Sequence, residues 1–86
     1  MSDMIQDEVI VYSQPSCGQC IATYRALESK GIRYRVVDLS EHPEAVDYIQ
    51  ELDSRYMRAP VVVVDDQDHW SGFQPAEIDR IAQHRS

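Results

Sequence analysis

Val9-Ile10-Val11-Tyr12-Ser13-Gln14-Pro15-Ser16-Cys17-Gly18-Gln19-Cys20 decides how the rest of the chain is read. Its apolar, β-branched start predicts a buried strand over residues 8–12, and the polar, proline-containing segment 13–16 ends it. From Cys17 to Lys30, apolar residues recur at helical spacing, through Cys17, Ile21 and Tyr24 and through Cys20, Tyr24 and Leu27. Gly31 then stops the helix. The only two cysteines in the chain therefore fall one turn apart at a helix start. At that spacing their side chains face the same way and can form or break a disulfide with little backbone movement. The unpaired N–H groups and positive dipole end of a helix N-terminus favour a thiolate over a thiol. Cys17, nearer the helix start, is expected to be the nucleophile and Cys20 the resolving thiol.

Two other readings of the pair stay open on the residues alone. A CxxC can be half of a zinc site, but zinc wants four ligands. No second cysteine pair exists, and His42, His69 and His84 are far apart in sequence. A purely structural disulfide is the other option, although a bridge closing so small a loop constrains the unfolded chain very little.

Downstream, residues 32–39 alternate in part, with Ile32, Tyr34 and Val36 set against Arg33 and Arg35, which predicts a strand with one wetter face. Ser40 is expected to cap a second helix, with Pro43 and Glu44 in its first turn and Ala45, Ile49 and Leu52 as its apolar face. Tyr48 and Tyr56 lie alongside that face. Val61-Val62-Val63-Val64 reads as a central strand covered on both sides, so helices must flank the sheet. Asp65, Asp66 and Asp68 read as a turn, because the glycine and later glutamate of an EF-hand are missing. His69 and Trp70 suit a short edge strand, and Gly72 permits a bulge or a close backbone approach. Pro75 suits the first position of a last helix, with Phe73 placed to staple onto Ile78. The class is α/β in the order β-α-β-α-β-β-α. That order puts the first βα loop, and Cys17 with it, at the carboxyl edge of the sheet, where reactive groups usually sit.

Eighty-six residues allow one domain, 1–86, with a modest core. The start, Met1 to Glu8, is acidic and lacks the basic and apolar regions of a secretory signal. No apolar run approaches membrane-spanning length. A cytosolic location is expected, and there a disulfide is more often transient and catalytic than permanent. The net charge is −7, and the few cations are scattered, which argues against nucleic acid as a partner.

Three separated segments resemble the thioredoxin fold and, more narrowly, the glutaredoxin-like NrdH redoxins. They are Cys17-Gly18-Gln19-Cys20, Arg58-Ala59-Pro60 ahead of the valine strand, and Trp70-Ser71-Gly72-Phe73-Gln74-Pro75. The resemblance covers nearly the whole chain. It implies a four-stranded mixed sheet flanked by three helices and a thiol-disulfide oxidoreductase acting through Cys17 and Cys20. It also implies a cis-proline at Pro60 facing the cysteines, with Ala59 presenting its backbone to an extended substrate. Gly18, Gln19, Arg58, Ala59, Pro60, Trp70, Ser71, Gly72 and Phe73 are the partner-binding residues it implies. Trp70 and Phe73 also suit core packing.

The electron acceptor implied is the class Ib ribonucleotide reductase and the donor is thioredoxin reductase. The protein is expected to be monomeric, with no cofactor or metal of its own. Ordinary glutaredoxins carry a basic residue ahead of the first cysteine and a Gly-Gly, Asp-Asp pattern near the last helix, both used on glutathione. Here those regions read Gln14-Pro15-Ser16 and Trp70-Ser71-Gly72-Phe73. The chain departs from the NrdH pattern at Gln74 and Ala76, where Arg and Asp are usual, and at Gly18, where Val is common. A glutathione- or mycothiol-dependent glutaredoxin (mycoredoxin) and an iron–sulfur cluster carrier are the alternative functions.

Overall fold

The computed structural model describes residues 8–85. All but the last residue of the acidic N-terminal stretch read above lies outside the described residues. The elements are β1 (Val9–Ser13), α1 (Gly18–Ser29), β2 (Tyr34–Asp38), α2 (Pro43–Leu52), β3 (Val61–Asp65), β4 (Asp68–Ser71) and α3 (Pro75–Arg85). They form one mixed sheet in the order β2-β1-β3-β4. β1 runs parallel to β2 and antiparallel to β3, and β3 pairs antiparallel with β4. The element order is the one read from the sequence, and the four-stranded mixed sheet with three helices is the thioredoxin-like arrangement that the resemblance implied.

The valine run of β3 shows why the sheet needs helices on both faces. Side chains alternate along a strand. Val62 accordingly joins Val9, Val11 and Trp70 in a core cluster closed by Leu27 of α1 and by Ile78 and Ile81 of α3. Val61 and Val63 point the other way, packing with Tyr12 and Tyr56 against Ala45 and Ile49 of α2. The register Val11↔Val62 and Val62↔Trp70 places these side chains across neighbouring strands, where cross-strand contact is closest. Leu52 packs at the margin of the second cluster, so the apolar face expected for α2 is the one it buries.

Several local expectations need correction. The strand read from residue 32 begins at Tyr34, because Ile32 belongs to the end of α1. Its N–H bonds the Leu27 carbonyl at 3.0 Å while Gly31, at φ +71°, bonds the Glu28 carbonyl at 3.1 Å. These two bonds form a Schellman stop, with Ile32 and Leu27 meeting in the core. Val36 lies on the edge strand and is 44% exposed. Along α1 the buried stripe is Cys20, Thr23 and Leu27, whereas Ile21, expected to be inside, is half exposed. Thr23 is tolerated there because its hydroxyl donates to the Gln19 carbonyl at 2.8 Å.

Ser40 does not cap α2. Its backbone N–H and hydroxyl both donate to Asp38 Oδ1, at 2.8 and 2.6 Å, closing a turn directly after β2. The N-cap is instead His42, with no side-chain cap, ahead of Pro43. Phe73 does not join the cluster that holds Ile78, and it stays 38% exposed. Among the described residues, no helix is long and apolar enough to cross a membrane.

Trp70, which suited either packing or docking, is 5% exposed and lies inside the α1/α3 cluster, its indole N–H without a partner among the described residues. Truncation to alanine leaves a large void. Trp70→Ala should cost roughly 3–5 kcal/mol of unfolding free energy, read from urea denaturation.

At the opposite edge, Tyr34 stacks on Tyr24 and donates its hydroxyl to Glu28. That hydrogen bond, ahead of burial, pushes the phenol up to about 12 from 10.0. A raised pKa favours the protonated, folded form, so the stabilisation is complete below about 10 and disappears as pH rises through about 12. Alkaline absorbance titration should place Tyr34 among the late-titrating tyrosines of the native protein, with Tyr12 and Tyr56 also raised, and Glu28→Gln should move Tyr34 down.

Candidate active site

The site begins where β1 ends. Ser13 is buried at the strand terminus and shares a hydrogen bond with the Tyr24 hydroxyl of α1, tying strand to helix on either side of the loop between them. Ser16 then adopts φ +58°, in the left-handed region that disfavours side chains. Such strain is held only where surrounding structure over-determines it, and it concentrates at functional sites. A polar loop was legible in the sequence, but its conformation was not.

Cys17 is the N-cap of α1 rather than its first helical residue. Its Sγ accepts the Cys20 backbone N–H at 3.1 Å, satisfying one of the donors that a helix N-terminus leaves unpaired. The two cysteines are joined as a disulfide with their Cα atoms 5.2 Å apart, inside the ordinary range for such bridges. Their surroundings differ. Cys17 is partly exposed, whereas Cys20 is 1% exposed and faces inward from α1.

Two further segments complete the neighbourhood. Ala59–Pro60 is a cis peptide at the mouth of β3, with Pro60 buried. The Pro60 carbonyl accepts the Gly72 N–H at 2.7 Å, and the Ser71 hydroxyl donates to the Arg58 carbonyl at 3.4 Å. Ala59 itself contributes no backbone hydrogen bond to the turns or to the sheet ladder among the described residues. The loop after β4 is closed by Gln74, whose Nε2 donates to the Ser71 carbonyl at 2.8 Å. Gln74 thus works within the loop at the position where NrdH redoxins usually carry Arg.

One contact reaches from this loop to the cysteine turn. Gln19 Oε1 accepts the Phe73 N–H at 3.1 Å, across 54 positions of sequence. Gly72 lies just beneath, at φ +85°, where an added Cβ would come within 3.4 Å of that oxygen. Hydrogen bonds thus link Gln19 of the cysteine turn to Phe73, and Arg58 and Pro60 to Ser71 and Gly72, while Trp70 turns away into the core.

A cavity beside the site went unnoticed in the sequence. It measures about 530 Å³ and lies between the loop after β1, α2 and the segment before Pro60, with Gln14, Pro15, Leu39, Ile49, Met57 and Arg58 among its lining residues. Met57, one of its lining residues, is 79% exposed. Arg58 has no ion-pair partner among the described residues, so it leaves an uncompensated cation in a chain of net charge −7. Further along, the Tyr56 hydroxyl and His69 Nδ1 share a hydrogen bond of 2.7 Å. Burial, followed by the charge of Asp53, raises the Tyr56 phenol. Arg55 holds the Asp53 carboxyl down to about 2 by hydrogen bonds from its side chain and backbone.

Comparison with known proteins agrees with this geometry. The Glutaredoxin family model matches residues 9–70. The glutaredoxin-like protein NrdH of Salmonella typhimurium is 37% identical over 73 residues, covering 85% of this chain and 86% of the relative. The gene 56 protein of Mycobacterium phage D29 is 32% identical over 76 residues, covering 88% of this chain and 83% of that protein. Among solved structures, the NrdH-redoxin of Escherichia coli superposes with a TM-score of 0.76 at 32% identity, over 86% of this chain and 93% of that one. With its CxxC disulfide at the start of α1 and these relatives along most of its length, the chain belongs to the glutaredoxin family of thiol-disulfide oxidoreductases, as a glutaredoxin-like NrdH redoxin.

Proposed function

We propose that this protein carries electrons from thioredoxin reductase to the class Ib ribonucleotide reductase, in the cytoplasm, as a monomer and with no cofactor of its own. The observation that carries this reading is the loop beside the cysteines. Where a glutathione-using relative would offer a basic residue and a Gly-Gly, Asp-Asp pattern, this chain has Gln14-Pro15-Ser16 and a Trp70–Phe73 loop fastened to the cysteine turn through Gln19. The Escherichia coli NrdH-redoxin, described as having a thioredoxin-like activity profile, supports the same choice of reductant.

In this reading Cys17 is the nucleophile and Cys20 the resolving thiol. The Cys17 thiolate attacks one sulfur of the target disulfide, forming a mixed disulfide and releasing the other target sulfur as a thiolate that takes up a proton. Cys20 loses its proton and attacks Cys17 Sγ, which frees the second target thiol and closes the Cys17–Cys20 disulfide. Two electrons pass to the target, and thioredoxin reductase returns two from NADPH. The N–H of Cys20, already aimed at Cys17 Sγ, and the dipole of α1 stabilise the attacking thiolate. The burial of Cys20 keeps it from outside disulfides until one is tethered to Cys17.

The partner face comprises Gly18, Gln19, Arg58, Ala59, Pro60, Ser71, Gly72 and Phe73, with Trp70 supporting it from the core. Ala59 offers its unused backbone groups to an extended target segment by strand addition.

The decisive experiment supplies oxidised protein with NADPH and either thioredoxin reductase or glutathione with its reductase, and follows reduction of a model disulfide. Turnover through thioredoxin reductase is expected. Turnover only through a low-molecular-weight thiol would overturn the proposal in favour of a glutathione- or mycothiol-dependent glutaredoxin. Cys20→Ser should stop turnover and accumulate a mixed disulfide with the target, visible by non-reducing electrophoresis and intact mass. Full activity in that variant would point instead to a monothiol route.

A further inference from the structure

We infer that Gln19 is a positioning residue for target recognition, a strut that sets where Phe73 stands relative to Cys17; the inference rests on the protein-disulfide reading above. Gln19 lies between the two cysteines, yet its side-chain oxygen is committed to the Phe73 N–H and so to a loop more than fifty residues away. The base of the strut is rigid, since the Gln19 carbonyl is held by the buried Thr23 hydroxyl one turn along α1. Its far end is shaped to receive it. Gly72 has the positive φ that glycine adopts without strain, and a Cβ added there would just touch Gln19 Oε1, at 3.4 Å.

The other fastenings of the loop lie at its ends, at Ser71 and Gly72 on the β4 side and at Gln74 on the α3 side. Beyond them, the contact with Gln19 is what joins Phe73 to the cysteine turn. Phe73 is a large apolar side chain, 38% exposed, in the loop whose N–H bonds the residue between the two cysteines. Aromatic groups so placed are the usual anchors of protein interfaces, and their value depends on being held in the binding position before the partner arrives. Gln19 therefore acts on target affinity through Phe73, while Cys17 and Cys20 carry the electrons.

The test compares single-turnover reduction of insulin disulfides with reduction of a small aromatic disulfide by chemically pre-reduced protein, each expressed as a second-order rate constant. Gln19→Met keeps side-chain length with a far weaker acceptor, and it should lower the ratio of protein to small-disulfide rates by about three- to tenfold, the scale of one lost hydrogen bond. Gln19→Glu restores an acceptor and should restore the ratio. Phe73→Ala should lower the ratio too, and the double variant Gln19→Met with Phe73→Ala should be no worse than Phe73→Ala alone.

An unchanged ratio in Gln19→Met, or additive losses in the double variant, would overturn the inference. Exchange of the Phe73 amide with solvent should quicken in Gln19→Met and return in Gln19→Glu, and equal exchange in all three would also overturn it. The pre-reduced assay needs no reductase, so failure of thioredoxin reductase to recharge the protein would sink the proposed electron source and leave this result standing.

Discussion

The parallel pairing of β1 with β2 is the constraint on which the rest of the molecule depends. Two neighbouring parallel strands cannot be joined by a tight turn, so the chain must cross the sheet, and α1 makes that crossing. Leu27 packs against Val9 and Val11 of β1, and the Ser13–Tyr24 hydrogen bond ties the end of the strand to the helix. The start of α1 is thereby held beside the end of β1. Cys17 occupies the cap of that helix start, where unpaired backbone donors and the dipole favour negative charge on sulfur. The reactivity of the site follows from the crossover more than from any residue specialised for acid–base work.

A second consequence concerns how the three site segments are kept together. The antiparallel pairing of β3 with β4 brings the Pro60 end of one strand against the Ser71 end of the other, and the Pro60 to Gly72 hydrogen bond extends that ladder into the loops. Trp70 anchors β4 from beneath by filling the space among Val62, Ile78 and the rest of the α1/α3 cluster. On the surface, the Arg80 guanidinium binds Asp68 of β4 and Glu77 of α3, joining the two elements that flank the loop. The loop after β4 is therefore held from below and at both ends, and Gln19 joins its exposed middle to the cysteines. Ordinary amide and hydroxyl hydrogen bonds do this work, and each contributes modestly on its own.

The side of the site away from Gln19 has a different character. There the 530 Å³ cavity combines an apolar floor with the exposed Met57 and with Arg58, a cation that has no ion-pair partner among the described residues. The cysteine turn thus bonds a loop that carries an aromatic side chain, while the cavity opens against the loop that precedes the turn. Both depend on α2 and α3 covering opposite faces of a single sheet.

By itself the sequence determined the element order, the cysteine turn, the central valine strand and the glycine stop of α1, because each is written in local periodicity or in a residue with restricted backbone choices. It also carried the family, through three short segments. It misplaced Ile21, Ser40 and Val36, where burial or bonding depends on what lies across space rather than along the chain. Thr23 goes inside because α1 is rotated that way against β1. Ser40 leaves the helix cap because Asp38 reaches its hydroxyl and amide first. Only the tertiary structure decided that Trp70 belongs to the core, that Cys20 is hidden while Cys17 is not, and that Gln19 meets Phe73. The physical reason is common to all three. Residues distant in sequence become neighbours only once the sheet is assembled, and no local spacing encodes which side chain will then face which.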